Sequence, residues 1–307
     1  MKKITGLLLL SAVLLSCSKS DDYLKKGKDA FNQKNYELAI ANFDSVLQLN
    51  PDHAEALATR GSARYNINNY QGAISDYTKS IEYWPKDSQN DAELGKIYAD
   101  LADCYFNVEL YDAAIDNYTI AINKNNNLVV AYSGRGDAYI LTSNPELAQP
   151  DFEKAISIDP KFASAHYGLG TVKFDQKDFA AAIPHYSQAV ALDPTVVKYF
   201  MDRGDSYYMT EEYPKAVDDF TSALKLDPTF AKAYVFRGDA KDEQGLALEA
   251  IEDYNKALEI TPNYGLAYYN MGVTKQRLKD KAGACDAFKK AFGAGYQEAA
   301  PFAAACK

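Results

Sequence analysis

The chain has 307 residues, 47% apolar and 24% charged, with 33 Lys and Arg against 42 Asp and Glu for a formal net charge of −9. That length suffices for a large core, and the acidic balance excludes a non-specific nucleic-acid binder, which needs basic residues to neutralise phosphates. Only 17 Gly and 11 Pro exclude collagen-like or disordered composition.

Residues 1–16 read MKKITGLLLLSAVLLS, two Lys followed by an apolar run from Ile4 to Leu15. The run is shorter than the about 20 residues that a permanent membrane span needs. A positive start before a short apolar stretch predicts a secretory signal. It ends Leu14-Leu15-Ser16-Cys17, which resembles the signal of bacterial lipoproteins. The resemblance implies cleavage after Ser16, lipidation of Cys17 and attachment to a membrane through it. A thiolate supplies the nucleophile for that linkage. Residues 17–19 would be the lipidated Cys and its tether. Ser18 follows Cys17, where the inner-membrane retention signal of some Gram-negative lipoproteins has Asp. The expected location is therefore the bacterial cell envelope at the outer membrane, on its periplasmic or surface face.

From Ser20 a 34-residue unit recurs, with starts at Ser20, Ala54, Gly95, Val129, Ala163, Val197, Ala231 and Gly265 and an insert at 88–94. Position 8 of the unit is Gly27, Gly61, Gly136, Gly170, Gly204, Gly238 or Gly272, with Ala102 in the third copy. Position 20 is always Ala, and position 24 always aromatic, from Phe43 to Phe288. Position 32 is Pro in six copies, Pro51, Pro85, Pro160, Pro194, Pro228 and Pro262. In Lys215 to Asp227 the apolar residues Ala216, Val217, Phe220, Ala223 and Leu224 share one helical face. Pro228 stops that helix. The stretch from Tyr199 to Met209 predicts an antiparallel partner helix before it.

This pattern resembles the tetratricopeptide repeat (TPR) over residues 20–298. The resemblance implies an all-α fold, an α-α superhelix of eight helix-turn-helix repeats. Single hairpins bury too little alone, so they stack, and the last needs a cover. The Ala-rich tail, 299–307, is the expected C-terminal capping helix. The insert is expected to lengthen the first helix of the third repeat, because Ala92, Leu94, Ile97, Tyr98 and Leu101 keep helical spacing.

Position 7 is Arg in four copies, Arg60, Arg135, Arg203 and Arg237, and position 23 is Asp in the same four, Asp76, Asp151, Asp219 and Asp253. The other four copies have neither residue there. This joint variation predicts a structural Arg–Asp bridge between the two helices of a repeat. The planar guanidinium meets a carboxylate with two parallel hydrogen bonds.

In TPR proteins positions 2, 5, 9, 12 and 13 face the concave groove. Here they make candidate ligand-binding residues of Phe31, Asn32, Tyr65, Asn66, Asp103, Phe106, Asn107, Asp137, Phe174, Asp205 and Tyr208. Rings hold partner side chains, and amides hold an extended backbone through a donor and an acceptor. These five positions carry nine acids against five bases, which favours basic or neutral partner segments. The Lys/Asn/Arg clamp of chaperone-binding TPR domains is missing: positions 5 and 9 hold Leu24 and Lys28, Ala58 and Ser62, Ala99 and Asp103.

Cys104 is expected to be a buried apolar residue. Cys285 and Cys306 fall at neighbouring ends of antiparallel helices, which makes them candidates for a disulfide in an oxidising envelope. His53, His166 and His185 are scattered, so no metal site is expected. No nucleophile–base signature or dinucleotide loop appears, and neither catalysis nor a cofactor is expected. The expected function is a membrane-anchored scaffold that binds proteins or peptides, not nucleic acid, through its groove. The alternative is an envelope glycan- or peptidoglycan-binding lipoprotein that uses the groove aromatics.

Overall fold

The computed structural model describes residues 19–85 and 91–306. The signal segment and Cys17 lie outside them. All described regular structure is helical, and the chain divides into two units after Pro160. The first unit holds a helix over 19–32 (α1), then α2 (Tyr36–Leu49), α3 (Ala54–Asn66), α4 (Tyr70–Tyr83), α5 (Asp91–Asn107), α6 (Tyr111–Lys124), α7 (Val129–Leu141) and α8 (Pro145–Ile158). The second holds α9 (Ala163–Asp175), α10 (Phe179–Leu192), α11 (Val197–Met209), α12 (Tyr213–Leu226), α13 (Ala231–Glu243), α14 (Ala247–Ile260), α15 (Gly265–Arg277) and α16 (Lys281–Gly293). A 3₁₀ turn, Gln297–Ala299, and a short α17 (Ala300–Ala305) follow. The fold is of the α-α superhelix class. No described helix is long and apolar enough to cross a membrane.

Odd helices are the first of each repeat and even helices the second. The hairpin turn between them comes from two positions. Position 15 lies in the left-handed region in every repeat, as Lys34, Asn68, Glu109, Ser143, Lys177, Glu211, Gly245 and Lys279, with φ from 59° to 79°. One residue later, Asn35, Asn69, Asp178 and Asp280 cap the second helix by accepting from the backbone N–H three residues on. Such a cap satisfies a donor with no partner inside the helix.

Packing within a hairpin follows from positions 8 and 24. A Cβ added at any of the seven position-8 glycines would stand 2.6–3.0 Å from the position-24 ring of the same repeat. The ring lies flat against a bare backbone, and there Gly outweighs its usual helical penalty of about 1 kcal/mol. Those rings and the position-20 Ala residues are buried throughout. α5 runs 17 residues from Asp91, against 13 for α3, so the described part of the insert, 91–94, is helical.

The tail covers the end of α16. Phe302 stacks on Phe288 with ring centroids 4.8 Å apart and meets Tyr269 edge-on. Cys285 and Cys306 are joined by a disulfide, with Cα atoms 5.5 Å apart. The tail is thus a 3₁₀ turn leading into a helix of six residues, not helical along its whole length.

Candidate functional site

Within each unit the first helices of successive repeats approach one another, α3 with α5 and α5 with α7, and α9 with α11, α11 with α13 and α13 with α15. Their shared face carries positions 2, 5, 9, 12 and 13. The position-12 rings of this face do not float free. Each meets the position-17 ring of its own repeat edge-to-face: Phe31 with Tyr36, Tyr65 with Tyr70, Phe106 with Tyr111, Phe174 with Phe179 and Tyr208 with Tyr213, at 5.0–5.5 Å. The pair spans the hairpin turn and fixes the ring's angle, leaving it half-buried. The three copies without an aromatic at position 12 lack one at position 17 as well: Ile140 with Pro145, Asp242 with Ala247, Gln276 with Lys281. That covariation is in the sequence but was not anticipated there.

Asn32, Asn66 and Asn107 are exposed. Asn66 donates to the Ser62 carbonyl at 2.8 Å, and Asn107 to the Asp103 carbonyl at 2.8 Å and the Tyr65 hydroxyl at 3.3 Å. Part of the donor capacity expected for a ligand is therefore spent on the helix itself. The Asn107–Tyr65 bond in turn ties the second repeat to the third.

Position 9 is wired to position 24. The Tyr77 hydroxyl donates to Ser62 Oγ at 2.9 Å, Tyr186 to Thr171 Oγ1 at 3.4 Å and Tyr254 to Asp239 Oδ1 at 2.8 Å, and Tyr118 donates to Asp103. Asn270 adds a second donor to Asp239. Asp103 and Asp239 are thus not free groove acids, as their position alone would suggest. Asp137 and Asp205, by contrast, belongs to a repeat with Phe220 at position 24.

Burial dominates the electrostatics of this face. It pushes Asp100 up to about 7, with the Asp103 charge adding to it, and Asp103 up to about 6 against the Tyr118 hydrogen bond. It pushes Asp205 up to about 7, helped by Asp202, and Asp239 up to about 6. Asp202 itself is raised by burial although Tyr167 donates to it. Cys104 is buried and free, its thiol pushed up to about 12, which makes it a poor nucleophile.

The groove charges partly cancel. Lys28 pairs with Glu55 at 2.5 Å. Arg277 holds both Asp242 and Glu243 at 2.8 Å, and Asp242 is buried by it. The groove acids outside these three pairs are Asp21, Asp103, Asp137, Asp175, Asp205 and Asp239. In the first unit an open cavity of about 1000 Å³ is lined by Phe31, Glu55, Trp84, Lys96 and Asp100, among others. In the second a cavity of about 240 Å³ brings together Phe174, Asp205 and Tyr208 of the candidate set.

The Arg–Asp positions frame these faces. Arg60, Arg135, Arg203 and Arg237 each donate Nε and Nη2 to the two oxygens of Asp76, Asp151, Asp219 and Asp253, at 2.6–2.9 Å. The four carboxylates are buried. Arg64 at 2.7 Å and Lys241 at 2.9 Å add a second cation to Asp76 and Asp253. These groups are consumed by the scaffold and do not reach a ligand.

Comparison with known proteins was made on this geometry. Tetratricopeptide repeat family models match residues 24–90, 129–162, 163–196, 197–230 and 266–294, and a TPR repeat model matches 238–279. No curated protein sequence matches the chain. Among solved structures, YrrB, described as a TPR protein with an unusual peptide-binding site, is 25% identical at a TM-score of 0.52, covering 62% of this chain and 95% of its own. MamA is 28% identical at a TM-score of 0.50, covering 54% and 91%. A tetratricopeptide repeat protein from Parabacteroides merdae shares the fold at 19% identity and a TM-score of 0.60, covering 84% and 99%. Family models spread along the chain, the repeated hairpins and the ring-on-glycine packing agree: the chain belongs to the tetratricopeptide repeat proteins.

Proposed function

We propose that this protein is a scaffold that binds a protein or peptide partner along the face of its first helices, held at a bacterial envelope membrane by lipid on Cys17. The observation that carries the binding half is the series Phe31, Tyr65 and Phe106, each ring half-buried, braced edge-on and followed by an exposed Asn. A partner chain gains apolar contact there without paying to order the rings. The anchor rests on residues 1–17, a positive start, a short apolar run and Leu14-Leu15-Ser16-Cys17. Several acyl chains would hold the protein firmly, since each buried methylene contributes about 0.8 kcal/mol.

Two experiments test the halves separately. The Cys17→Ala variant should lose membrane partitioning, and globomycin should accumulate the uncleaved form. Unchanged partitioning of the variant rejects the anchor. Crosslinking in intact cells followed by mass spectrometry should recover a protein that the Phe31→Ala, Tyr65→Ala, Phe106→Ala triple variant fails to capture. Loss instead of a bound glycan would point to the envelope-glycan reading.

A further inference from the structure

Asp205 stands outside the wiring of position 9 to a Tyr hydroxyl. The Tyr hydroxyls of the second, third, fifth and seventh repeats each donate to their own position-9 side chain. The sixth has Phe220 where the seventh has Tyr254, so the ring is kept and the donor removed. Among the described residues Asp205 accepts no hydrogen bond and has no cation within 4.0 Å. Tyr167 donates to Asp202, and Lys198 and Lys232 line a second cavity beside Asp205, 5.0 Å over the Tyr167 ring and 4.7 Å over the Phe236 ring, where the Lys232 charge counters part of the rise in Asp205 without bonding to it.

This carboxylate opens into the cavity of about 240 Å³, walled by Phe174, Tyr208, Phe220 and Phe236, with Asp239 as a second carboxylate and no Lys or Arg in the lining. The volume lies below the roughly 300–1000 Å³ of small-molecule pockets and suits a single side chain. Ring faces attract cations, and a half-buried carboxylate that accepts no hydrogen bond favours a ligand that brings a positive charge.

We propose that this cavity is the anchor pocket for one lysine or arginine side chain of a bound peptide, its methylenes against Phe174, Tyr208 and Phe236 and its charged head on Asp205. The proposal rests on the peptide-binding reading and adds the chemistry of the anchor. The raised proton affinity of Asp205, at about 7, comes from burial and the Asp202 charge, which Lys232 offsets only in part.

The test is selection of a random dodecapeptide library on the immobilised full-length protein. Recovered peptides should share one Lys or Arg, and replacing a shared Lys by norleucine should weaken binding tenfold or more. Phe220→Tyr supplies Asp205 with the hydroxyl that Tyr254 gives Asp239. It should weaken the same peptides tenfold or more while melting at or above the wild-type temperature. Asp205→Asn should weaken them similarly. Recovered peptides without a shared basic residue, equal binding of the norleucine peptide, or indifference to Phe220→Tyr would each overturn the anchor while leaving the peptide-binding face intact. Recovery of no peptide at all would overturn the binding face and the anchor with it.

Discussion

Arg135 donates from Nη1 to Thr119 Oγ1 at 3.0 Å, across the joint between the third and fourth repeats. Its other bonds go to Asp151 in its own repeat. Arg60 reaches Asp44 of the preceding repeat at 2.5 Å and Arg237 reaches Thr221 at 3.3 Å in the same manner. One guanidinium therefore fixes the angle within a hairpin and the seating of that hairpin on its neighbour. Lysine, with a single point charge, has no equivalent geometry.

Removing the cation alone should be worse than removing the pair. Arg203→Met strands Asp219 in the interior, a loss on the order of 3–5 kcal/mol. Adding Asp219→Leu should restore much of it, because the buried charge is gone. Urea denaturation of both variants checks this, and equal midpoints would show that the two residues do not act as a pair.

The face acids should tie stability to pH. Burial raises Asp100 and Asp205 from the ordinary 3.8 to about 7, so the folded state holds their protons more tightly than the unfolded chain. Their contribution is fully present below about pH 4 and is lost as pH rises through about 7. Asp205→Asn should therefore gain stability relative to wild type at pH 8, on the order of 1 kcal/mol or more, and little at pH 4. A difference independent of pH in paired denaturation curves would contradict the burial argument.

The hairpin turns carry strain that glycine would relieve. Glu211 and Lys177 hold φ of 62° at a position where the seventh repeat has Gly245. Glu211→Gly and Lys177→Gly should each stabilise by about 1 kcal/mol, and Gly245→Ala should destabilise by a similar amount. Thermal melts of the three variants decide the sign.

Reduction should loosen the C-terminal cover before the rest. The Cys285–Cys306 bridge spans a sequence separation of 21, and cutting it should cost about 3 kcal/mol through the unfolded state. Amide exchange over 297–306 should accelerate on adding reductant, with exchange in α12 unchanged. Uniform acceleration along the chain would mean that the bridge serves the whole fold instead of the tail.

The repeat was legible in the sequence because its constraints are local and copied. Gly at position 8, Ala at 20 and a ring at 24 answer one packing problem in every hairpin, so repetition exposes them without an alignment. The Arg–Asp positions were legible for the same reason, since both members change together between copies. The rings at positions 12 and 17 vary together in the same way, whereas the Tyr hydroxyl at 24 that serves a polar residue at 9 does not, since Asp137 and Asp205 share repeats with Phe152 and Phe220. Both pairs join the two helices of one hairpin, as the Arg–Asp pair does, so only comparison between copies can reveal them.

What the sequence determined by itself was the helical hairpin, its period, the family and the four Arg–Asp bridges inside repeats, because each depends on side-chain size and spacing within one unit. Only the tertiary structure decided which face residues are free. Asp103, Asp205 and Asp239 occupy the same position of their repeats, yet a hydroxyl 15 residues on, from Tyr118 and Tyr254, satisfies the first and the last, and Phe220 offers Asp205 none. The same residue type at the same register thus becomes scaffold in the third and seventh repeats and an open acceptor in the sixth, since availability depends on what packs against a group, not on where it stands in the chain.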